Sequence, residues 1–363
     1  MAAPNSTDAE MQAEMAAFAT YEELATLEAQ FNDVDTQIMA RQFILSKPLF
    51  ARRKALIAKV INFWPIALEQ VPESIDQFIL PSDSELLNDC LKDITLERFE
   101  TPETFPSNSD NVDDFGEPRS FRITFHFAMN DWFTNESLTK TFWYRRRTED
   151  VKASVDSFAG LVSEPVKIDW KKGKDLSEGL TDMTVALFEA RKKTGDFMAK
   201  GLPEYTALKK KVETANGMNT SFFTWYGFVS NRRYVSAEES AKANEEFATK
   251  KAELGAAKAG AEQLEQDDGT EADADDDTEV EVHEAGEELA IALADDLWPG
   301  AIRYFTEAQE MDVMSELDFE EMEDDSDDGE PIDIRALVQE KGGKGAGRKA
   351  SGSGAPPSKK QKK

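Results

Sequence analysis

The chain has 363 residues and a formal net charge of −30, with 40% hydrophobic and 10% aromatic residues. A surface of this sign repels nucleic-acid phosphates and anionic lipids, which argues against direct DNA or membrane binding and favours a cationic partner. The sequence lacks the roughly 18 consecutive apolar residues of a membrane-spanning helix, a signal-peptide pattern, and any cysteine besides Cys90. We therefore expect a soluble intracellular protein.

A long helix is predicted first. Residues 1–19 are expected to be flexible or to start this helix, and residues 20–62 to form it, with Pro48 producing a kink. At ~1.5 Å per residue it would be on the order of 60 Å long, more than one small domain can cover. Its apolar stripe therefore predicts a homodimer, and packing on its own domain is the alternative. The stripe at heptad a and d positions comprises Leu24, Leu27, Phe31, Val34, Ile38 and Leu45.

A run of β-strands follows the long helix. Between residues 120 and 129 apolar residues from Phe121 to Met129 alternate with polar ones such as His126, which is typical of a half-buried strand. With polar turns between them, four such strands predict an antiparallel meander. The four predicted strands are 93–100, 120–129, 138–147 and 164–172.

Helices are predicted again after the strands, at 221–228 and 286–305, and strands followed by helices indicate an α+β fold. Two insertions interrupt this core. Residues 176–218 are prone to form helix, whereas residues 232–285 suggest a solvated helix followed by acidic disorder. The predicted buried side of the last helix comprises Leu289, Ile291, Leu293, Leu297, Trp298, Ile302 and Tyr304.

The remaining chain divides by charge. We expect a globular domain at 63–310, an acidic disordered tail at 311–340 and a basic, Gly/Ser-rich disordered tail at 341–363. The lysine-rich end predicts a nuclear localisation signal, and hence a nuclear protein that shuttles with the cytoplasm. A basic tail without an import role is the alternative. The predicted signal comprises Arg348, Lys349, Lys359, Lys360, Lys362 and Lys363.

Catalytic chemistry has little support in the sequence. The only histidines are His126, on a predicted strand, and His283, within the acidic insertion. Acidic residues between 273 and 284 follow the spacing of a calcium-binding loop, but Thr278 stands where its sharp turn needs glycine. We therefore predict no catalytic residue, no cofactor and no metal site.

Several segments together resemble one family. The sequences SFFTWYGF (221–228), KIDWKKGKDL (167–176) and DDLWPGAIRYFTEAQEMD (295–312) are similar to the nucleosome assembly protein (NAP) family, specifically its SET-like branch. Residues 47–68 resemble the end of that family's long helix and its entry into the domain. The resemblance implies a NAP-like α+β fold, in which a dimerisation helix precedes an α/β earmuff domain with a four-stranded antiparallel sheet and C-terminal helices.

The resemblance also implies a function. It indicates a histone chaperone that is not an enzyme, binds core histones through an acidic surface and tail, and assists nucleosome assembly and disassembly. Two other functions remain open: regulation or inhibition of a protein phosphatase or histone acetyltransferase, and a coiled-coil scaffold.

The implied histone-binding residues fall into two groups. Thr224 and Glu287 match family positions implicated in histone contact, whereas Gly227 and Ile291 replace a polar and an acidic residue of the family pattern. The second group is predicted from charge alone. It comprises Glu288, Asp295, Asp296, Glu316, Asp318, Glu320, Glu321, Glu323, Asp324 and Asp325.

Overall fold

The computed structural model describes residues 6–104, 112–148, 159–215, 220–257 and 280–321. The first half contains helices α1 to α4, a 3₁₀ turn and the strands. These are α1 (Ser6–Ile57), α2 (Phe63–Leu68), α3 (Glu73–Asp76), α4 (Pro81–Cys90), β1 (Leu91–Glu97), the turn Val112–Phe115, β2 (Phe121–Phe127), β3 (Ser137–Arg146) and β4 (Ala159–Ser163).

The second half is helical in the part that the structure describes. It comprises α5 (Leu180–Thr194), α6 (Pro203–Ala215), a 3₁₀ segment (Phe222–Gly227), α7 (Ala237–Ala257), α8 (Gly286–Ala292), a π-helical turn (Leu293–Leu297) and α9 (Trp298–Glu321). The mixed α+β architecture with a long N-terminal helix is confirmed.

Helix α1 extends over 52 residues and continues through Pro48. Its last turns contact the domain: the buried Arg53 guanidinium donates to the carbonyls of Trp298 and Pro299 and stacks over the indole of Trp298. The predicted dimerisation stripe lies in the earlier turns of the helix. All six of its residues are exposed, from 47% for Leu27 to 64% for Leu45.

The four strands form one antiparallel sheet in the order β1-β2-β3-β4, which confirms the predicted meander. Along β2, Phe121, Ile123, Phe125 and Phe127 are buried, as alternation requires. The expectation for Met129 was wrong, because β2 ends at Phe127 and the Met129 side chain is fully exposed.

The fourth strand was predicted at the wrong place. It is Ala159–Ser163 rather than 164–172. Pro165 has no N–H to donate to a sheet, and the Val166 N–H donates instead to the Tyr226 carbonyl at 2.8 Å. The chain therefore leaves β3 after Ser163 and pairs with the segment around the second 3₁₀ turn.

Helices α2, α8 and α9 contribute to one aromatic-rich core with the sheet. Phe63 of α2 stacks on Phe305 of α9 with ring centroids 4.9 Å apart. Two residues of the predicted buried side are exposed instead, Ile291 by 45% and Ile302 by 54%. Each lies two residues from a buried one, Leu289 or Tyr304, and two residues turn a helix by roughly 200° to its opposite side.

The insertions are parts of the folded domain. Leu180, Leu187 and Leu208 of α5 and α6 form a buried cluster with Val282, which follows the second insertion's acidic run. Residues 258–279 lie outside the described part of the chain, but Val282 and His283 are buried, so the predicted disorder was wrong for these last residues of the insertion.

The first residues of the predicted acidic tail are helical rather than disordered. Helix α9 continues to Glu321, past the expected domain end at residue 310, so the first part of that tail is helical. Residues 322–363 lie outside the described residues.

Candidate functional site

The 3₁₀ segment Phe222–Gly227 is fixed to the domain by a buried carboxylate. Asp83, at the start of α4, accepts hydrogen bonds from the Ser221 hydroxyl and from the Phe222 N–H at 2.8 Å. Burial raises the pKa of the Asp83 carboxyl, while these hydrogen bonds oppose that shift. An aspartate that starts a helix thus holds a segment distant in sequence.

Thr224 lies inside this segment and is almost completely buried. Its hydroxyl donates to the Ser221 carbonyl at 2.7 Å. The expectation that Thr224 offers its side chain to a partner is therefore not met by this structure. A motif match places a residue along the chain but does not determine which way its side chain faces.

Lys140 attaches the same segment to the sheet. It occupies a core-facing position of β3 between Leu138 and Phe142 and is fully buried. Its ammonium donates to the carbonyls of Glu164 at 3.1 Å, Tyr226 at 2.9 Å and Phe228. Burial lowers the pKa of Lys140 to about 7. Lys140 was not predicted as a structural residue, although a lysine at an apolar position of a strand is a visible signal in the sequence.

Glu281 and His283 bring the end of the second insertion against the Lys140 region. The Glu281 carboxylate accepts the N–H groups of Val229 (3.3 Å), Val282 (2.8 Å) and His283 (3.2 Å). Burial raises the pKa of Glu281 to about 8, opposed by these hydrogen bonds and by Lys140. Burial lowers the pKa of His283 to about 4. His283 is thus buried, and the Glu281 carboxylate is held by backbone N–H groups.

Glu287, at the start of α8, connects three parts of the domain. One carboxylate oxygen accepts the Leu161 N–H of β4 at 2.9 Å, and the other accepts the Asn231 side-chain amide at 2.6 Å. Partial burial raises the pKa of the Glu287 carboxyl. Its neighbour Glu288 is exposed. Of these two predicted contacts, Glu288 is therefore the more accessible.

Asp295 and Asp296 of the π-helical turn already have positive partners in the chain. Asp295 pairs with the buried guanidinium of Arg98, next to β1. Asp296 accepts hydrogen bonds from Arg303 at 3.0 Å and from the Tyr304 hydroxyl at 2.7 Å. These contacts neutralise part of the charge that made both aspartates candidates. The sequence did not identify Arg98 as a partner.

The first acids of α9 are exposed. Glu307 lies 3.9 Å from Arg303, and Glu310 is exposed further along the helix. The predicted contacts Glu316, Asp318, Glu320 and Glu321 also lie on α9. The structure therefore extends the domain directly into a helix with acids along it. Outside the described residues lie the candidates Glu323, Asp324 and Asp325 and the localisation residues Arg348, Lys349, Lys359, Lys360, Lys362 and Lys363.

Gly227 departs from the family pattern at a point of close packing. A Cβ added there would lie 2.8 Å from the Val282 side chain and 3.3 Å from the Thr184 hydroxyl. Both neighbours belong to the predicted insertions. The glycine therefore permits the insertions to pack against the 3₁₀ segment.

Two absences among the described residues bear on other functions. These residues contain no group of three or more side chains suited to hold a metal ion. None of their helices combines the length and apolar character needed to cross a bilayer.

Comparison with known proteins gives a family match. Residues 54–308 match the family model described as nucleosome assembly protein (NAP). A protein of Schizosaccharomyces pombe named for nucleosome assembly is 33% identical over 165 residues, which cover 45% of this chain and 62% of that protein. Nucleosome assembly protein 1-like 1 of Mus musculus is 48% identical over 67 residues, 18% of this chain and 17% of the relative. The matches thus span less than two thirds of these relatives.

Solved structures are also similar. The crystal structure of Ccp1 is 25% identical with a TM-score of 0.46, covering 81% of this chain and 97% of that one. The crystal structure of Vps75 is 18% identical with a TM-score of 0.43, covering 80% and 98%. Both TM-scores lie below 0.5, so the assignment rests on the family model, which covers more than half of the sequence. The chain belongs to the nucleosome assembly protein (NAP) family.

Proposed function

We propose that this protein is a histone chaperone that binds core histones and assists nucleosome assembly and disassembly. Family membership supports this function, as do relatives named for nucleosome assembly and a net charge of −30. The observation that carries the proposal is α9, a helix that begins in the buried core, bears the exposed Glu307 and Glu310, and continues through an acid-rich sequence to Glu321.

The physical role follows from histone chemistry. Histones carry many lysines and arginines, which bind DNA phosphates without order at cellular salt. An acidic surface occupies these side chains for a time and lowers the concentration of free histone. Exposed ion pairs contribute only about 0–1 kcal/mol each and are screened over ~8 Å, so histone can be released to DNA. Many weak pairs on one tethered arm together give useful avidity.

We propose that α9 and the acids after it supply most of this surface, with Glu288 contributing beside them. Glu287, Asp295 and Asp296 already accept hydrogen bonds within the chain, and Thr224 is buried. Glu310, by contrast, is exposed on α9. This assignment gives the tail-side acids more weight than the positions taken from the family pattern.

Charge-neutralising variants of the full chain test this proposal. We expect Glu307→Gln with Glu310→Gln to weaken binding of either core histone pair roughly threefold to tenfold, because each exposed pair contributes up to about 1 kcal/mol. Glu245→Gln with Glu246→Gln, on the exposed side of α7, makes the same charge change elsewhere and should leave the isotherm nearly unchanged. Equal effects of the two variants would contradict the assignment, and absence of saturable histone binding by the wild type would contradict the function. A phosphatase or acetyltransferase regulator would bind its enzyme without histones.

We further propose a homodimer paired through the stripe of α1. Its apolar side chains are exposed in the single chain, and burying them against a second copy removes that apolar surface from water. Phe31→Glu with Ile38→Glu should halve the mass measured by light scattering, whereas Gln42→Glu, also exposed, should not. An unchanged mass in the double variant would exclude the stripe as the interface. Point variants suit this test because Arg53 of α1 also holds the domain.

Two finer assignments are proposed on the sequence alone. We place the protein in the SET-like branch on the segments 47–68, 167–176 and 295–312. We place it in the nucleus, with shuttling to the cytoplasm, on its lysine-rich end. Loss of nuclear accumulation after Lys→Gln changes at residues 359, 360, 362 and 363 would support import through that end, and unchanged accumulation would count against it.

A further inference from the structure

One exposed area of α9 combines charge with apolar surface. Met311 and Met314 are exposed by 58% and 51%, although both are large hydrophobic residues. Glu307 and Glu310 are exposed beside them. On a helix, residues three and four apart are neighbours, and these four positions are linked by spacings of three and four. We call Glu307, Glu310, Met311 and Met314 the acid–methionine patch.

The patch follows directly on buried residues of α9. Tyr304, Ala308 and Val313 are buried. Val313 lies roughly 200° around the helix axis from Met311, whereas Tyr304 and Ala308, seven and three residues before Met311, lie on nearly its own side. Packing against the domain therefore ends after Ala308 on this side of the helix, and the patch continues that side into solvent.

The chemistry of the patch goes beyond that of a polyanion. Acids alone would attract any extended basic segment and would gain nothing from exposed methionines. Methionine is flexible and polarizable, so it packs against irregular apolar surfaces and is common where proteins bind varied helices. An amphipathic basic helix presents an apolar row beside lysines or arginines, repeating every three to four residues. Such a helix matches the patch in both charge and spacing.

We propose that the acid–methionine patch docks an amphipathic basic helix of a partner protein. The inference rests on the proposed function, which it deepens: the partner would offer a helix to α9 rather than only an extended basic tail. Met311 and Met314 contact the apolar row, and Glu307 and Glu310 pair with the flanking cations. The methionines thereby select for the fold of the ligand, and the acids select for its charge.

The test measures preference for helical form at constant composition. The full chain is titrated into each of two fluorescently labelled synthetic peptides made of leucine and lysine. Binding is measured by fluorescence anisotropy. In one peptide the sequence places the leucines on one face of an amphipathic helix. The other peptide has the same composition in a shuffled sequence, so that a helix formed from it has no apolar face. We expect the wild type to prefer the first by about tenfold, equivalent to ~1.4 kcal/mol.

Variants then locate the preference. Met311→Ser with Met314→Ser should reduce the preference for the helical peptide to about twofold or less, because apolar contact is removed. The affinity for the shuffled peptide should be retained. The conservative pair Met311→Leu with Met314→Leu should keep the preference. Met129→Ser makes the same chemical change at a fully exposed methionine beyond β2 and should also keep it.

The outcomes separate this inference from the proposed function. Equal wild-type affinity for the two peptides overturns the inference, as does a preference that survives both serine changes. A fall in particle mass on light scattering with the serine pair also overturns it, because a second copy would then cover the patch. Histone binding without peptide preference overturns the inference alone. Peptide preference without histone binding supports the docking site while overturning the chaperone function.

Discussion

Replacing Lys140 by methionine tests what holds the central segment of the domain together. The change keeps a long unbranched side chain of similar volume, so it opens little cavity, but it removes the buried ammonium. That ammonium donates to three carbonyls, those of Glu164, Tyr226 and Phe228. The variant therefore separates polar attachment from packing.

The expected loss of stability depends on which hydrogen bonds the three carbonyls keep in the variant. The Tyr226 carbonyl still accepts the Val166 N–H at 2.8 Å, and the Phe228 carbonyl still accepts the Ser163 hydroxyl at 2.6 Å. The Glu164 carbonyl loses its ammonium donor, whereas Glu281, with its pKa raised to about 8, is mostly neutral near pH 7 and is not left as an unpaired charge. Leaving one buried acceptor without its donor typically costs about 1–3 kcal/mol. We expect the free energy of unfolding to fall by that amount.

Urea unfolding followed by tryptophan fluorescence measures the change. Lys92→Met, at an exposed position of β1, is the matched control and should alter the unfolding free energy by less than about 0.5 kcal/mol. If Lys140→Met lowered the free energy of unfolding no more than Lys92→Met does, the hydrogen bonds of Lys140 would not stabilise the fold.

Two further predictions concern residues near this segment. Burial lowers the pKa of His283 to about 4 from an ordinary 6.5, so its contribution to stability is complete above pH 6.5 and is lost as the pH falls towards 4. His283→Leu should therefore make the urea midpoint depend less on pH between pH 6.5 and pH 4 than it does in the wild type. A variant whose midpoint falls as steeply as that of the wild type would contradict this. Gly286→Ala would place a Cβ 2.1 Å from the Phe228 ring and should destabilise by about 1–3 kcal/mol in thermal unfolding. Gly201→Ala, with nothing within 4 Å, is its control; equal melting shifts would refute the steric argument.

Regular patterns in the sequence predicted much of the fold. Heptad spacing identified α1, and alternation identified β2 down to its buried face. Both patterns report local periodicity, which the backbone geometry of a helix or strand imposes directly. The short strand β4 was missed because its few apolar residues carry no clear period, whereas 164–172 mixes Pro165 with apolar residues.

The candidate site was harder to predict, because its properties depend on long-range contacts. Nothing near Asp295 in the sequence announces Arg98, and nothing near Thr224 announces that its hydroxyl is turned inward. The helical continuation of α9 did have a local signal. Ala308 and Val313 place apolar residues among the acids, and their burial shows that packing continues there.

Reconstitution of nucleosomes from separated parts tests the central claim most directly. Core histones and DNA are mixed at an ionic strength of about 0.15 M with increasing amounts of the full chain, and nuclease digestion follows. The account predicts that the chain suppresses nonspecific histone–DNA aggregates and that protected fragments of about 147 base pairs accumulate. Aggregation that persists at every concentration of the chain, without those fragments, would contradict it.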